Sequence, residues 1–275
     1  MKQILIAGAG SYIGISIEKL LGRYPADYGI NTVDLKSETW RKQDFSEYDT
    51  VIYVAGIAHR KETKKNKFLY YKVNRDLAIE VAQRAKKSGV KHFIIFSSMN
   101  VYGMVTGYIT KNTVPNPQNS YGKSKLEADQ EILKMEADDF TVAVLRPPMV
   151  YGKGCKGNYN GLIKIARKSP VFPDIHNKRS MIAIENLSFF VKEIIDKGKG
   201  GIFHPQNQEY VNTKEMVRKL AEVYGKNIHL IKVPEQVIKK IPLTLLKKAF
   251  GDLVYEKDDI CSFVSFEESI KASVK

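Results

Sequence analysis

Gln3-Ile-Leu-Ile-Ala-Gly-Ala-Gly-Ser-Tyr-Ile-Gly14 decides how the rest of the chain is read. An apolar run ends in glycine, and residues 13–21 then carry apolar side chains at helical spacing, which predicts a strand, a tight turn and a helix. Glycines in such a turn let the backbone bend sharply and approach a pyrophosphate, which the amides of the helix N-terminus hold. A glycine cluster alone is a weak signal. Here Asp34 ends the next apolar run, 20 residues beyond Gly14. A carboxylate at that point accepts both hydroxyls of an adenosine ribose and repels a 2′-phosphate. The stretch therefore predicts a dinucleotide site, with NAD expected ahead of NADP.

Outward from this turn, residues 29–34 and 50–55 read as short strands with a short helix or loop between them. Residues 70–88 read as a helix, 91–97 as a buried strand, 120–136 as a helix and 141–146 as another strand. Strands alternating with helices imply right-handed crossovers and a parallel sheet covered on both faces, an α/β fold of the doubly wound, Rossmann type. After Arg146-Pro-Pro148 the regularity breaks into loops rich in Gly, Asn, Lys and Pro around a helix at 161–168. A helix at 185–197, a strand at 201–204 and a helix at 213–224 follow. The expected division is a dinucleotide-binding domain of residues 1–150 plus about 183–206, and a small C-terminal substrate-binding lobe of about 151–182 and 207–275. From Lys232 the chain is basic and amphipathic, with Val237, Ile238, Ile241, Leu245 and Leu246 on one side and lysine pairs at 239–240 and 247–248 on the other. Pro242 argues against one continuous helix there, and a helix of the second lobe fits this segment better than a membrane-surface helix.

A chain of 275 residues with 43% hydrophobic and 27% charged residues is ordinary for a globular protein with a full core. Two cysteines, Cys155 and Cys261, form no disulfide framework. The first apolar run is a strand rather than a secretory signal, and no apolar stretch is long enough to cross a bilayer. A cytoplasmic location is the expectation, without stable membrane insertion. The formal charge of +14 is dispersed along the sequence, and no nucleic-acid-binding motif accompanies it. The densest basic run, Arg60-Lys-Glu-Thr-Lys-Lys-Asn-Lys67, reads as a solvated loop, so no nucleic-acid partner is expected and no metal either.

The reactive signal is Tyr121 in Asn119-Ser-Tyr-Gly-Lys-Ser-Lys125. On a helix, Tyr121 and Lys125 share a face one turn apart. A phenol titrates near about 10, and a neighbouring cation lowers that value toward neutrality, as an acid/base requires. Spacing alone proves little, because a chain with 15 Tyr and many Lys produces it by accident, as it does at Tyr210 and Lys214. Context separates the two. Phe96-Ser-Ser-Met-Asn-Val-Tyr-Gly103 places the Ser98 hydroxyl at the end of a parallel strand, 23 residues before Tyr121, where ligands bind in such folds.

These residues resemble the extended short-chain dehydrogenases/reductases that modify nucleotide sugars, the NAD-dependent epimerases/dehydratases. The family fingerprint Gly-x-x-Gly-x-x-Gly falls on Gly8, Ser11 and Gly14, with serine in place of the middle glycine. The resemblance implies cofactor contacts from Gly8, Ser11, Tyr12, Ile13, Gly14, Asp34 and Leu35, from Asp44 and Phe45 beside the adenine, from Val54, Ala55 and Gly56 in Val54-Ala-Gly-Ile-Ala-His59, and from Asn74, Tyr121, Lys125 and Pro148. It implies Ser98, Tyr121 and Lys125 as the catalytic set: Tyr121 as acid/base, Ser98 on the reacting oxygen, and Lys125 on the nicotinamide ribose while lowering the Tyr121 pKa. Ser98 and Met149, Asn158, Tyr159 and Arg179 are the implied substrate contacts, Arg179 on a diphosphate that suits a planar guanidinium. Met149 stands where many family epimerases have asparagine. Met99 and Asn100 stand where family dehydratases carry an Asp-Glu pair, so 4,6-dehydration is not expected.

The implied reaction is hydride transfer at carbon 4 of a nucleotide sugar, as in a UDP-glucose 4-epimerase. The alternative is an NAD(P)H-dependent reductase of a UDP-4-keto-6-deoxy-sugar in surface polysaccharide biosynthesis, and a non-catalytic NAD-binding sensor is a third reading. The family also implies a homodimer through the helices at 70–88 and 120–136.

Overall fold

The computed structural model describes residues 1–58, 62–232 and 251–274. His59, Arg60 and Lys61, and the basic amphipathic segment from Val237 to the lysines at 247–248, lie outside the described residues. The strands in chain order are β1 (Lys2–Ala7), β2 (Tyr28–Val33), β3 (Thr50–Tyr53), β4 (His92–Phe96), β5 (Gly107–Ile109), β6 (Thr141–Leu145) and β7 (Met149–Tyr151). They continue with β8 (Val171–Pro173), β9 (Met181–Ala183), β10 (Gly201–Phe203), β11 (Gln206–Asn207), β12 (His229–Ile231), β13 (Leu253–Tyr255) and β14 (Ile260–Cys261). The helices are α1 (Tyr12–Leu21), α2 (Lys67–Tyr70), α3 (Leu77–Lys87), α4 (Ser120–Leu133), α5 (Asn158–Lys168), α6 (Ile184–Lys197), α7 (Thr213–Val223) and α8 (Phe266–Val274). Residues 34–50 hold a short 3-10 turn, Glu38–Lys42, between β2 and β3.

The chain divides into two compact units, Met1–Gly103 with Pro115–Pro147 and Ser188–Pro205, and Met104–Val114 with Pro148–Leu187 and Gln206–Lys275. Residues 104–114 join the second unit because β5 pairs in parallel with β13, a pairing that local sequence does not announce.

In the first unit, six strands form one parallel sheet in the order β10-β6-β4-β3-β1-β2. β3, β4 and most of β6 are buried on both faces, so they read as continuous Val, Ile and Phe runs rather than as alternating ones. Trp40, Phe45, Tyr53, Phe93 and Phe140 anchor the core against α3 and α4. The helix expected at 70–88 starts earlier, at Lys67, and passes through a π-turn, Tyr71–Asp76, before α3. No described helix is long and apolar enough to cross a membrane.

The second unit is built from two-stranded parallel pairs with α5, α7 and α8. Its centre is a polar core in which Asn186 and Asn207 share a side-chain hydrogen bond of 2.9 Å, Asn207 donates to the Tyr151 hydroxyl at 2.9 Å, and that hydroxyl meets Ser269 Oγ at 2.7 Å. The helix expected at 161–168 begins at Asn158, after Gly157 at φ +86°.

Two glycines let the first turn dock against the sheet. Gly8 has φ +124°, and a Cβ there would lie 2.8 Å from the Ala55 backbone nitrogen. A Cβ on Gly14 would meet Ser11 Oγ at 2.6 Å, Val54 Cγ2 at 3.1 Å and Ile6 Cγ2 at 3.2 Å. Gly10 also has positive φ, +75°, but nothing lies within 4 Å of a Cβ built there. Gly8→Ala is therefore expected to cost about 2–4 kcal/mol in urea unfolding and Gly10→Ala only about 1 kcal/mol. Equal losses at the two positions would show that the close approach to Ala55 is not what matters.

Candidate active site

The nucleotide end of the site is set by β1, β2 and α1. The amides of Gly8 and Ala9 both donate to the Val33 carbonyl at 2.9 Å, which ties the glycine turn to the end of β2, where Asp34 is exposed and accepts from the Lys36 amide at 3.0 Å. Ser11 has φ −73° and needs no glycine. It is the N-cap of α1, its Oγ accepting from the Gly14 amide at 3.1 Å. The departure from the family fingerprint thus exchanges a glycine for a cap worth about 1 kcal/mol. The N-terminus of α1 begins at Tyr12, and the amides of a helix N-terminus favour an anion.

Val54, Ala55 and Gly56 follow β3 on the other side of this turn. Their continuation is clamped by Asn74, which is fully buried in the π-turn. Its Oδ1 accepts from the Ile57 amide at 2.7 Å, its Nδ2 donates to the Ile57 carbonyl at 3.1 Å, and Nδ2 also reaches Ser124 Oγ at 3.3 Å. Asp44 is exposed and accepts from the Ser46 amide and hydroxyl, which hold its carboxyl below the usual carboxylate range. Phe45 and Leu35 instead give their side chains to the core. The Phe45 ring packs beneath Arg84 and against Tyr48.

The reactive end lies at the junction of β4 and α4. Asn119 caps α4, its Oδ1 accepting from the Gly122 amide at 2.8 Å, and Glu62 accepts from the Ser120 amide and hydroxyl at 2.9 and 2.8 Å. Helix formation then sets Tyr121 and Lys125 on one face. Ser98 is buried and caps the short turn Met99–Tyr102, its Oγ accepting from the Asn100 amide at 3.2 Å. The Tyr121 phenol has Ser98 as a neighbour and packs edge-on against the Tyr70 ring, with centroids 6.4 Å apart. Burial raises its pKa while the Ser98 hydroxyl lowers it.

Lys125 is buried and donates from Nζ to the Phe96 carbonyl at 2.7 Å. Its ammonium also neighbours Gly56, where a Cβ would lie 3.4 Å away. The sequence expects Lys125 to lower the Tyr121 pKa. In this arrangement the ammonium donates to the Phe96 carbonyl, and the Ser98 hydroxyl favours the phenolate. Burial brings Lys125 itself down to about 8, opposed by the charge of Asp129.

The structure thus brings together Ser98, Tyr121 and Lys125, and places Gly56 and Asn74 at the Lys125 end. It separates the second Tyr-Lys pair: the Tyr210 hydroxyl donates to the Tyr255 carbonyl at 2.8 Å, while Lys214 binds Asp174 at 2.6 Å. Pro148, Met149, Asn158, Tyr159 and Arg179 belong to the second unit. Met149 is half-buried in β7, and Asn158 is exposed at the start of α5. Arg179 is half-buried, its Nη1 directed to the Val105 carbonyl at 3.4 Å. Tyr159 is fully buried with its hydroxyl on Ser273. Sequence reading missed Glu62 and Asp129. The first carries no local signal, whereas the second stands four residues beyond Lys125 on the same helix face.

The residues fit a dinucleotide: a glycine turn joined to the β2 end, a helix N-terminus for an anion, an exposed carboxylate after β2, and a buried ammonium beside Gly56. The model of the NAD dependent epimerase/dehydratase family matches residues 4–199. The chain belongs to this family. Among curated members, the UDP-glucose 4-epimerase of Vibrio cholerae is 29% identical over 91% of this chain and 83% of its own length. The N-acetyl-α-D-glucosaminyl-diphospho-ditrans,octacis-undecaprenol 4-epimerase of Escherichia coli O157:H7 is 26% identical over 84% of this chain and 75% of its own. The fold is that of the Bacillus cereus UDP-glucuronic acid 4-epimerase solved in complex with NAD, with TM-score 0.76, 17% identity and coverage of 98% and 97%. It is equally that of the Pseudomonas aeruginosa RMD structure complexed with NADPH, with TM-score 0.76, 18% identity and coverage of 100% and 98%.

For this family member a consequence follows from the buried ammonium. The unfolded chain holds the Lys125 proton up to its ordinary 10.5, the folded chain only to about 8. The unfolded state therefore binds more protons between these values, and this group makes stability rise with pH there. The stability of wild type minus that of Lys125→Met, from urea unfolding, is expected to grow by up to about 3 kcal/mol between the two pH values. A flat difference would mean the ammonium is not desolvated.

Proposed function

We propose that the protein is an NAD(P)-dependent enzyme that interconverts nucleotide sugars at carbon 4, in the manner of a UDP-glucose 4-epimerase. The observation that carries this reading is the Tyr121 phenol beside Ser98, with Lys125 one turn along the same helix and held on the Phe96 carbonyl. The likeness to the Vibrio cholerae UDP-glucose 4-epimerase over 91% of the chain supports the substrate class.

When bound, the nicotinamide supplies the acceptor and donor of a hydride. The rest of the chemistry falls to side chains. Oxidation of a sugar hydroxyl needs a base on its proton, and Tyr121 stands in that role, returning the proton when the ketone is reduced. Ser98 hydrogen-bonds the same oxygen and favours the phenolate. Lys125, fixed on the Phe96 carbonyl, brings positive charge to the ribose side of the site. Burial keeps water from competing for the proton. Gly8, Ser11, Tyr12, Ile13 and Gly14 would cradle the pyrophosphate, and the exposed Asp34 would take the adenosine ribose and favour NAD. Arg179 would meet the substrate diphosphate, and Met149 and Asn158 the sugar side.

A second reading, reduction of a nucleotide 4-keto-6-deoxy-sugar, is favoured by Met149 where many epimerases carry asparagine. It is also supported by 21% identity over 86% of the chain to the GDP-6-deoxy-D-mannose reductase of Pseudomonas aeruginosa. The assembly that accompanies either reading is a homodimer without nucleic acid.

Tyr121→Phe is expected to lower turnover of UDP-glucose and UDP-galactose by at least about 100-fold while leaving NAD affinity within about two-fold. Retention of wild-type turnover would remove Tyr121 from the chemistry. Consumption of one NAD(P)H per keto-sugar by the wild type would replace epimerisation with reduction.

A further inference from the structure

Three consecutive residues at the end of β4 meet three successive positions on one stripe of α4. The Phe96 carbonyl accepts from Lys125 Nζ at 2.7 Å, the Ser97 hydroxyl donates to Asp129 Oδ2 at 2.7 Å, and Ser98 neighbours the Tyr121 phenol. Tyr121, Lys125 and Asp129 follow one another at four-residue steps, so each sits one turn above the next. The first two have roles in the proposed reaction; the third has none so far.

Asp129 is fully buried, a placement that a carboxylate tolerates only with partners. Oδ2 also accepts from Arg146 Nε at 3.1 Å. Arg146 Nη1 donates to the Tyr102 hydroxyl at 2.9 Å, and that hydroxyl lies 2.6 Å from His204 Nε2. Oδ1 accepts no hydrogen bond among the described residues. The carboxylate is thus aimed at the strand end rather than saturated by its own helix.

We propose that Asp129 is a positioning residue for the catalytic pair. It fixes Ser97, and with it the flanking Phe96 carbonyl and Ser98 hydroxyl, against the helix that carries Lys125 and Tyr121. The inference rests on the catalytic reading of Tyr121. Successive strand residues point to opposite faces, so a small rotation of this strand end would turn Ser98 away from the phenol while moving the carbonyl that holds the ammonium. Asp129 acts through charge as well, favouring the ammonium of Lys125 and opposing the phenolate of Tyr121. The charged and titratable groups around it are Arg146 after β6, Tyr102 beyond β4, His204 after β10, and Lys125 and Tyr121 on α4 itself.

Asp129→Asn and Ser97→Ala separate tether from charge. Asp129→Asn is expected to reduce kcat roughly 10- to 100-fold with cofactor affinity unchanged. It should also move the rising limb of the pH–rate profile to lower pH, because the phenol loses a negative neighbour. Ser97→Ala should reduce kcat without moving that limb, and Asp129→Glu should recover part of the lost rate. A folded Asp129→Asn with wild-type kcat and an unmoved profile overturns the proposal, whatever its melting temperature. Should Asp129→Asn fail to fold, an unchanged kcat in Ser97→Ala overturns it instead. If the wild type turns over no nucleotide sugar, the functional reading fails separately. The Tyr121 titration, taken as the difference from Tyr121→Phe, then still reports whether Asp129→Asn lowers the phenol pKa, and no change there overturns the proposal.

Discussion

A lysine ammonium buried at the end of a parallel strand has to be compensated, and the first unit is organised around that requirement. Lys125 is held by the Phe96 carbonyl, so the strand end and the helix must keep a fixed register. Burial works against its charge, while Asp129 one turn along supports it. Asp129 in turn needs Arg146, whose guanidinium reaches Tyr102, which meets His204. Each buried polar group is thereby answered by another, and the chain of partners links β4, α4, and the residues that follow β6 and β10. The cofactor side has the same logic in steric form: Gly8 and Gly14 leave out the atoms that would hold the first turn away from Val54 and Ala55.

Function follows from the tension between burial and charge. Burial raises the Tyr121 phenol and lowers the Lys125 ammonium, so neither group titrates where it would in water. Ser98 leans against the first shift, by stabilising the phenolate, and Asp129 against the second. Burial alone would make the phenol a poorer base near neutrality, and the Ser98 hydroxyl works against that shift.

Much of this was legible in the sequence, for identifiable reasons. The β1–turn–α1 unit could be read because its determinants are local: an apolar strand, glycines at the turn and a helical repeat in one short stretch. The Tyr121–Lys125 face could be read because helical spacing fixes it once Asn119 caps the helix. Other features depend on partners distant in sequence. Asp129 finds Ser97 and Arg146 only in the folded sheet, so its four-residue step from Lys125 carried no visible meaning. Phe45 and Tyr159 are aromatic residues beside polar neighbours, and their full burial depends on partners distant in sequence. The π-turn around Asn74 has no sequence signature, and residues 104–114 join the second unit through a strand pairing that neither segment encodes alone.

The fate of the hydride separates epimerisation from net reduction most directly. Purified protein incubated with UDP-glucose carrying deuterium at carbon 4, with no added cofactor, should yield UDP-galactose that retains the label at carbon 4, read by NMR and mass spectrometry. Loss of the deuterium to solvent, or formation of labelled reduced cofactor in proportion to product, would contradict a tightly held dinucleotide that takes and returns hydride on the same sugar.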